Sequence, residues 1–358
     1  MKIFSFVSFL KCMKINCIVL GLFFCLSMCL TSCTVPTESS TKFNKSNASI
    51  CRMAFYNVEN LFDTEDDPHT NDNDFLASGK LKWTEDRYKQ KLQHIRDVMQ
   101  GLNESHALAL LGMAEVENKR VLEDLLQSDP TFQIIHYNSS DKRGIDACLL
   151  YNPAFFMPVS MYLSSSKTND KNKGVFLREV LVVKGVLWKD TIHVLVNHWP
   201  SRREGEEASE HKRIAAATLN LRLIDSIFAS NSSAPIFIMG DFNDQPHDES
   251  VKMISQPAPV DELNKQAVNS IINPFEEKQQ EGEGTCKYKR DWFLFDQIMM
   301  SNSILDKKKL QFVSAEIYNP EWLYYKQDLK SGPFRTYLGN KYIGGYSDHF
   351  PVYIELKK

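Results

Sequence analysis

Ile236-Phe237-Ile238-Met239-Gly240-Asp241-Phe242-Asn243-Asp244-Gln245-Pro246 decides how this chain is read. Its four leading apolar residues are enough for a buried strand and too few for a helix. Gly240 is expected to break that strand. A carboxylate and an amide then follow at alternate positions, and in an extended chain such residues point to the same side. Asp241 and Asn243 would therefore face one ligand together, at the carboxyl end of a strand, where α/β sites usually sit. A base and a hydrogen-bond donor held this way suit the activation and positioning of a water. An ordinary polar turn after a core strand would look the same in isolation.

The rest of the chain supplies the context. With 358 residues, 43% hydrophobic and 24% charged, it has the composition of a globular protein with one large core or two modest ones. Residues 1–32 differ. Lys11 and Lys14 precede an apolar run, Ile15 to Leu30, that ends in Leu30-Thr31-Ser32-Cys33. A basic start, an apolar core and small residues before a cleavage site describe a secretory signal. The cysteine directly after Leu-Thr-Ser resembles a bacterial lipoprotein signal, which predicts a lipid on Cys33 and a location in the cell envelope. A plain signal peptide and a short membrane anchor are the alternatives. Residues 33–50, rich in Ser, Thr, Asn and Lys, read as a flexible tether, and 51–358 as one domain.

Five of the eight cysteines lie in or at the end of the leader, leaving Cys51, Cys148 and Cys286 isolated. That spacing excludes a zinc cluster, while one disulfide stays open. Removing residues 1–32 takes away Lys2, Lys11 and Lys14 and no acid, moving the net charge from −3 to −6. An acidic chain argues against an extended nucleic-acid surface, though not against a local basic cleft.

Further apolar strands end in polar residues in the same manner: Asn57 and Glu59, Glu115, His198, Asp296, then Asp348 and His349. Thr84 reads as the cap of a helix whose face carries Tyr88, Leu92, Ile95 and Met99 and which stops at Gly101. Val175–Leu187 and Thr191–Asn197 read as a hairpin, too closely spaced for a parallel crossover. A long helix is predicted over 208–229, and 247–290 is the least readable stretch. Many strands with few helices suggest two sheets packed face to face with helices outside. Strand ends meeting at one rim would gather the polar groups in one cleft, although each alone could be a turn cap, a surface charge or a satisfied core histidine.

Carboxylates without thiols or a histidine cluster favour a hard, oxygen-seeking ion such as Mg²⁺, Mn²⁺ or Ca²⁺. Two histidines near carboxylates can neutralise developing phosphate charge or act as acid–base partners. No Gly-rich phosphate loop, dinucleotide fingerprint or Gly-x-Ser-x-Gly elbow is present. Hydrolysis of a phosphate ester by an activated water fits this inventory best.

Six ordered segments carry a resemblance: Tyr56-Asn57-Val58-Glu59-Asn60-Leu61, Ala114-Glu115-Val116-Glu117-Asn118, Asn197-His198-Trp199-Pro200-Ser201-Arg202, Gly240-Asp241-Phe242-Asn243-Asp244, Phe295-Asp296-Gln297-Ile298 and Tyr346-Ser347-Asp348-His349-Phe350-Pro351-Val352. On them the chain, over about residues 51–356, is similar to the endonuclease/exonuclease/phosphatase superfamily related to deoxyribonuclease I. The resemblance implies an α/β (α+β) fold, a deoxyribonuclease I-like four-layer sandwich of two packed mixed β-sheets flanked by helices. It implies a metal held by Glu115 with Asn57, Glu59 and Asp348. Asp241 would orient or deprotonate the attacking water and Asn243 would fix the phosphate. His349, paired with a carboxylate, would stabilise the transition state, His198 would help the leaving group, and Asp296 would support a catalytic histidine. Phe176-Leu177-Arg178-Glu179 resembles a phosphate-contacting segment, so Arg178 would grip substrate unless it is spent on a salt bridge.

Two departures stand out. Ala114 replaces a glutamine that often precedes the metal-binding glutamate. The glutamate partner of the second histidine aligns with Ile145, leaving Asp146 one residue late and on the other strand face unless a bulge intervenes. The implied activity is that of a metal-dependent phosphodiesterase, a nuclease, and a monomer is the expected state. A phosphatase or a phosphodiesterase of small phosphoesters, and an inactive ligand-binding module, are the rivals.

Overall fold

Apolar side chains that alternate between two buried layers define the central strands. The structure, a computed structural model, describes residues 49–127, 129–165, 178–255, 269–305, 310–328 and 331–358. The leader, Cys33, most of the tether and Val175–Leu177 therefore lie outside the described residues. In chain order the elements are β1 (Ile50–Leu61), α1 (Glu85–Leu102), β2 (Ala107–Val116), α2 (Lys119–Leu126), β3 (Gln133–His136), β4 (Asp146–Tyr151), β5 (Phe156–Ser164) and β6 (Val180–Leu187). They continue with β7 (Asp190–His198), α3 (Glu206–Ser230), β8 (Ile236–Asp241), α4 (Glu249–Ile254), β9 (Ile271–Ile272), α5 (Glu276–Gln280), β10 (Cys286–Tyr288) and β11 (Asp291–Phe293). The last are β12 (Asp296–Ser301), β13 (Gln311–Ile317), β14 (Tyr337–Leu338), β15 (Lys341–Tyr342) and β16 (Val352–Lys357).

Two mixed sheets result, in the orders β13-β16-β1-β2-β4-β3 and β5-β6-β7-β8-β12-β9. The neighbours β1/β2 and β7/β8 run parallel, whereas β6/β7 form the antiparallel hairpin expected from their spacing. On β8, Phe237 and Met239 point into the core shared with Phe55, Leu111 and Met113 of the other sheet. Ile236 and Ile238 point the opposite way, with Ala216, Ala217 and Phe228 of α3 and Val251 of α4. A strand buried on both faces reads as a continuous apolar run, which is why periodicity alone could not assign it. Helices α1 and α2 cover the outer face of the first sheet, giving the four-layer α/β sandwich.

This alternation aims the site. Asp241 has the parity of Phe237 and Met239, so its side chain points between the sheets. Asn57 shares the parity of Met53 and Phe55 on β1 and points toward it from the other side.

Several local expectations need correcting. Gly240 does not break β8: the strand continues to Asp241, pairing Asn197 with Gly240 and His198 with Asp241. A Cβ at Gly240 would lie 2.5 Å from the Asn197 carbonyl oxygen, so glycine is there to admit the neighbouring strand. Gly101 likewise lies inside α1, where a Cβ would meet the Tyr318 hydroxyl at 1.9 Å. Thr84 takes the extended backbone of an N-cap, but its side chain makes no capping hydrogen bond. The stretch 247–290 contains α4, α5 and β9 as well as β10. Strand β5 was not anticipated, because it is an edge strand with much of its length exposed and no clean alternation. Cys51, Cys148 and Cys286 are free thiols.

Candidate active site

Antiparallel and parallel pairings bring the strand ends to one rim. Val116 faces Asp146, His198 faces Asp241, Asp241 faces Asp296, and β16 begins just after His349. Cys286 of β10 bridges to His349 and ties that ribbon to the same rim.

The backbone is unusual here. Glu59, Asn60, Glu115 and Asn243 all have positive φ, between 50° and 65°. Non-glycine residues avoid this region, and such strain concentrates at ligand sites. At Glu115 it forms a bulge between Ala114 and Val116 that turns the carboxylate toward the rim. At Asn243 it ends the alternation predicted from Asp241. Asn243 donates its backbone N–H to Asp241 Oδ1 (3.0 Å) and its side-chain amide to the Trp199 carbonyl (3.1 Å).

Asp241 is the hub. Its Oδ2 accepts a hydrogen bond from Asn57 Nδ2 at 2.9 Å and lies 3.8 Å from His198 Nε2 and 4.0 Å from His349 Nε2. Burial lifts its carboxyl to about 7, with Asp296 adding to the lift and His349 opposing it. His349 Nδ1 lies 2.6 Å from Asp296 Oδ2, and Asp296 is fully buried. Burial opposes charge on His349, yet Asp296, Asp241 and Asp348 outweigh it and hold the imidazole well above its ordinary range. His198 is displaced the opposite way, by burial first and then by Arg178, Arg143 and His349. One histidine is thus held charged and the other neutral.

His198 Nδ1 is buried without a hydrogen-bond partner among the described residues, and Nε2 stands 3.7 Å from Glu115 Oε1. These separations are too long for direct hydrogen bonds and leave room for a ligand atom between Glu115, Asp241 and His198. Asp146 does not serve His198. It lies 2.8 Å from His136 Nε2 and accepts the Ser139 N–H, while Ile145 occupies the aligned position as a buried apolar residue.

The oxygen donors form the other half of the site. Glu115 Oε2 accepts the Asn60 N–H at 2.9 Å, and Asn57 Oδ1 accepts the Glu59 N–H at 3.0 Å. Glu59 accepts the Thr336 N–H at 2.6 Å; burial raises its carboxyl to about 7, and Asp348 repels it further. The chemistry of these donors, an amide oxygen and three carboxylates, fits a hard divalent cation such as Mg²⁺, Mn²⁺ or Ca²⁺. Donor atoms of Asp241, Asp296 and His349 also lie within 4.8 Å of one another. The 2.6 Å Asp296–His349 contact, however, reads as a proton-bearing hydrogen bond and not as a shared metal. Asp348 itself pairs with Arg335 at 3.0 Å.

Arg178 stands behind the site. Its Nε lies 2.7 Å from Asp141, and Nη1 donates to the carbonyls of Trp199 (2.8 Å) and His198 (3.4 Å), so these groups engage its guanidinium in this structure. Two residues near the site were passed over in the sequence. Lys91 on α1 is buried and donates to Thr336 Oγ1 (2.7 Å) and the Tyr346 carbonyl (2.5 Å), beside Glu59. A lysine within the apolar stripe of Tyr88, Leu92 and Ile95 was the available signal. Arg143 lines the cleft with Glu59 and Asp348; nothing local in Arg143-Gly144 announces it.

Bracing contacts explain the residues of Asn197-His198-Trp199-Pro200-Ser201-Arg202. Asn197 accepts from Trp199 Nε1 and Asn220, Trp199 packs edge-on against Phe242, and Arg202 holds the Asn243 carbonyl and Asp244. Asp244 also takes Ser250 and the Arg213 guanidinium, which fixes the loop after Asp241.

Buried carboxylates, two oppositely displaced histidines and an oxygen-donor cluster at the rim of a double sandwich define a phosphoester hydrolase. The chain belongs to the endonuclease/exonuclease/phosphatase family, whose profile matches residues 52–358. Enzymes of this family are phosphoester hydrolases that generally depend on a divalent metal. Solved structures of similar fold include a humanized D. rerio TDP2 (TM-score 0.54, 12% identity, 87% of this chain and 100% of that one). Another is the mannosyl-6-phosphatase Bt3783 of Bacteroides thetaiotaomicron (TM-score 0.54, 16% identity, 86% and 100%). A third is the human Nocturnin catalytic domain (TM-score 0.54, 15% identity, 87% and 95%). At these identities the likeness concerns the fold. Comparison with curated protein sequences found no match.

Proposed function

We propose that this protein is a metal-dependent phosphodiester hydrolase, acting as a nuclease on nucleic-acid strands. One observation carries the diester reading. Clefts of about 390 and 320 Å³ both reach Asp348 and Arg335, one lined also by Glu59, Arg143 and Arg203, the other by Tyr288, Lys289 and Tyr325. A diester has a substituent on each side of its phosphorus, and two flanking clefts accommodate both. The exposed Tyr288 offers a ring face to a base.

Asn57, Glu59, Glu115 and Asp348 would hold the cation, which when bound neutralises charge on the phosphate. Asp241 takes the proton of the attacking water, oriented by its bonds to Asn57 and the Asn243 backbone. His349, gripped by Asp296, donates a hydrogen bond to a phosphoryl oxygen as charge develops there. His198 Nε2 faces the gap between Glu115 and Asp241 and contacts the leaving-group side. Asn243 and Arg178 would reach substrate only by exchanging their present carbonyl partners.

A panel of substrates tests the assignment: single-stranded and plasmid DNA, RNA, and sugar and lipid phosphates, each with Mg²⁺, Mn²⁺ or Ca²⁺. Turnover of nucleic acid is expected. Turnover confined to small phosphomonoesters would replace the nuclease reading with a phosphatase, the alternative favoured by the net charge of −6 after leader removal.

The lipoprotein-like leader supports placing the enzyme in the cell envelope, tethered through Cys33. Cys33→Ala is then expected to shift the protein from the membrane fraction to the soluble fraction. Unchanged membrane association would remove the lipid anchor from this account.

A further inference from the structure

The cleft between β1 and residues 335–340 gathers four cationic side chains. Lys80, Arg143, Arg203 and Arg335 line it, opposed by Glu59, Asp74 and Asp348. Arg335 is already taken by Asp348. Arg143 has only a 3.8 Å approach to Asp141, and that carboxylate is engaged at 2.7 Å by Arg178. Burial disfavours the Arg143 charge, and the guanidiniums of Arg178 and Arg203 add to this against Glu115 and Asp141. Arg203 is exposed and forms no ion pair among the described residues. Two guanidiniums that line one cleft, neither in a close ion pair among the described residues, form a site for an anion on a chain with an excess of acid. Their forked donors match a phosphate. Glu59 and Asp348, assigned above to the cation, line the same cleft, which puts this anion beside the reacting phosphate.

We propose that Arg143 and Arg203 form a second anion subsite, holding a phosphate next to the one that is cleaved. The preferred substrate then carries at least two phosphate groups. This deepens the phosphodiesterase reading above and rests on it. The second phosphate is the neighbouring one of a polynucleotide strand or the distal group of a small bisphosphate, and both present the same tetrahedral dianionic or monoanionic oxygens.

The test compares matched substrates. A dinucleotide with one internal diester is assayed with and without a 5′-terminal phosphate, alongside a hexose 6-phosphate and its 1,6-bisphosphate. The added phosphate is expected to raise kcat/KM about tenfold, through KM, as one charge-assisted contact would. Arg203→Ala is expected to abolish that preference and Arg203→Lys to keep part of it. The pair that shows the effect identifies the source of the second phosphate. Equal kcat/KM within both pairs for the wild-type enzyme, or a preference that survives Arg203→Ala, overturns the subsite while leaving the hydrolase reading intact. If no substrate turns over with any metal, the phosphodiesterase reading fails instead. Calorimetric binding of pyrophosphate and orthophosphate then decides the subsite. Preference for pyrophosphate that is lost in Arg203→Ala supports it, and equal binding of the two overturns it.

Discussion

Asp241→Asn is expected to lower kcat about 10³-fold with little change in KM. The substitution is nearly isosteric. Its carbonyl oxygen can still accept the Asn243 N–H, so the loop keeps its geometry. What it loses is basicity at the atom now facing His198, His349 and Asn57, where the attacking water is to be deprotonated. Because Asp241 is buried and points between the sheets, no other carboxylate substitutes for it from the same position without moving β8. Steady-state kinetics on an oligonucleotide, with circular dichroism to verify folding, measures this. A change confined to KM would mean that Asp241 binds substrate and leaves the water to another group.

Glu115→Ala is expected to remove activity to a similar or greater extent, and by a different route. The side chain is held by the Asn60 N–H and faces His198 across the gap where the reacting phosphate is to sit. Its left-handed backbone exists only to turn this carboxylate to the rim, since Ala114 and Val116 on either side are fully buried in the core. The signature is metal affinity. Half-saturating Mg²⁺ should rise by at least about tenfold if residual turnover can be followed, and direct metal binding by calorimetry should weaken in parallel. Loss of turnover with unaltered metal binding would transfer Glu115 from the cation to substrate.

Much of this site was legible before any coordinates, and for an identifiable reason. Asn57, Glu115, His198 and Asp241 lie at or near the ends of apolar strands, whereas Asp296 opens β12 and Asp348 and His349 precede β16, and a strand delivers its terminal side chains to the rim where its neighbours end. Residue type and strand-end position therefore carry the information locally. What stayed hidden depends on contacts distant in sequence. Arg178 meets Asp141, 37 residues away, and Asp146 meets His136 on the adjacent strand. Lys91 reaches Thr336 and Tyr346 from a helix that looked like plain packing. The backbone inversion at Glu115 was hidden because nothing in a glutamate's identity advertises a positive φ, whereas asparagine at 243 is a residue that tolerates it. Gly240 misled in the opposite sense, since glycine marks close approach of strands as often as it marks a break.

Catalysis by a single metal-supported cleft at this rim is the central claim. The most direct measurement is the initial rate of oligonucleotide hydrolysis by the wild-type and Glu115→Ala proteins, in EDTA and after Mg²⁺ is restored in excess. Wild-type activity is predicted to vanish in EDTA and to return with Mg²⁺, while Glu115→Ala stays inactive at Mg²⁺ concentrations that saturate the wild type. Hydrolysis that is indifferent to EDTA and undiminished in Glu115→Ala would contradict it.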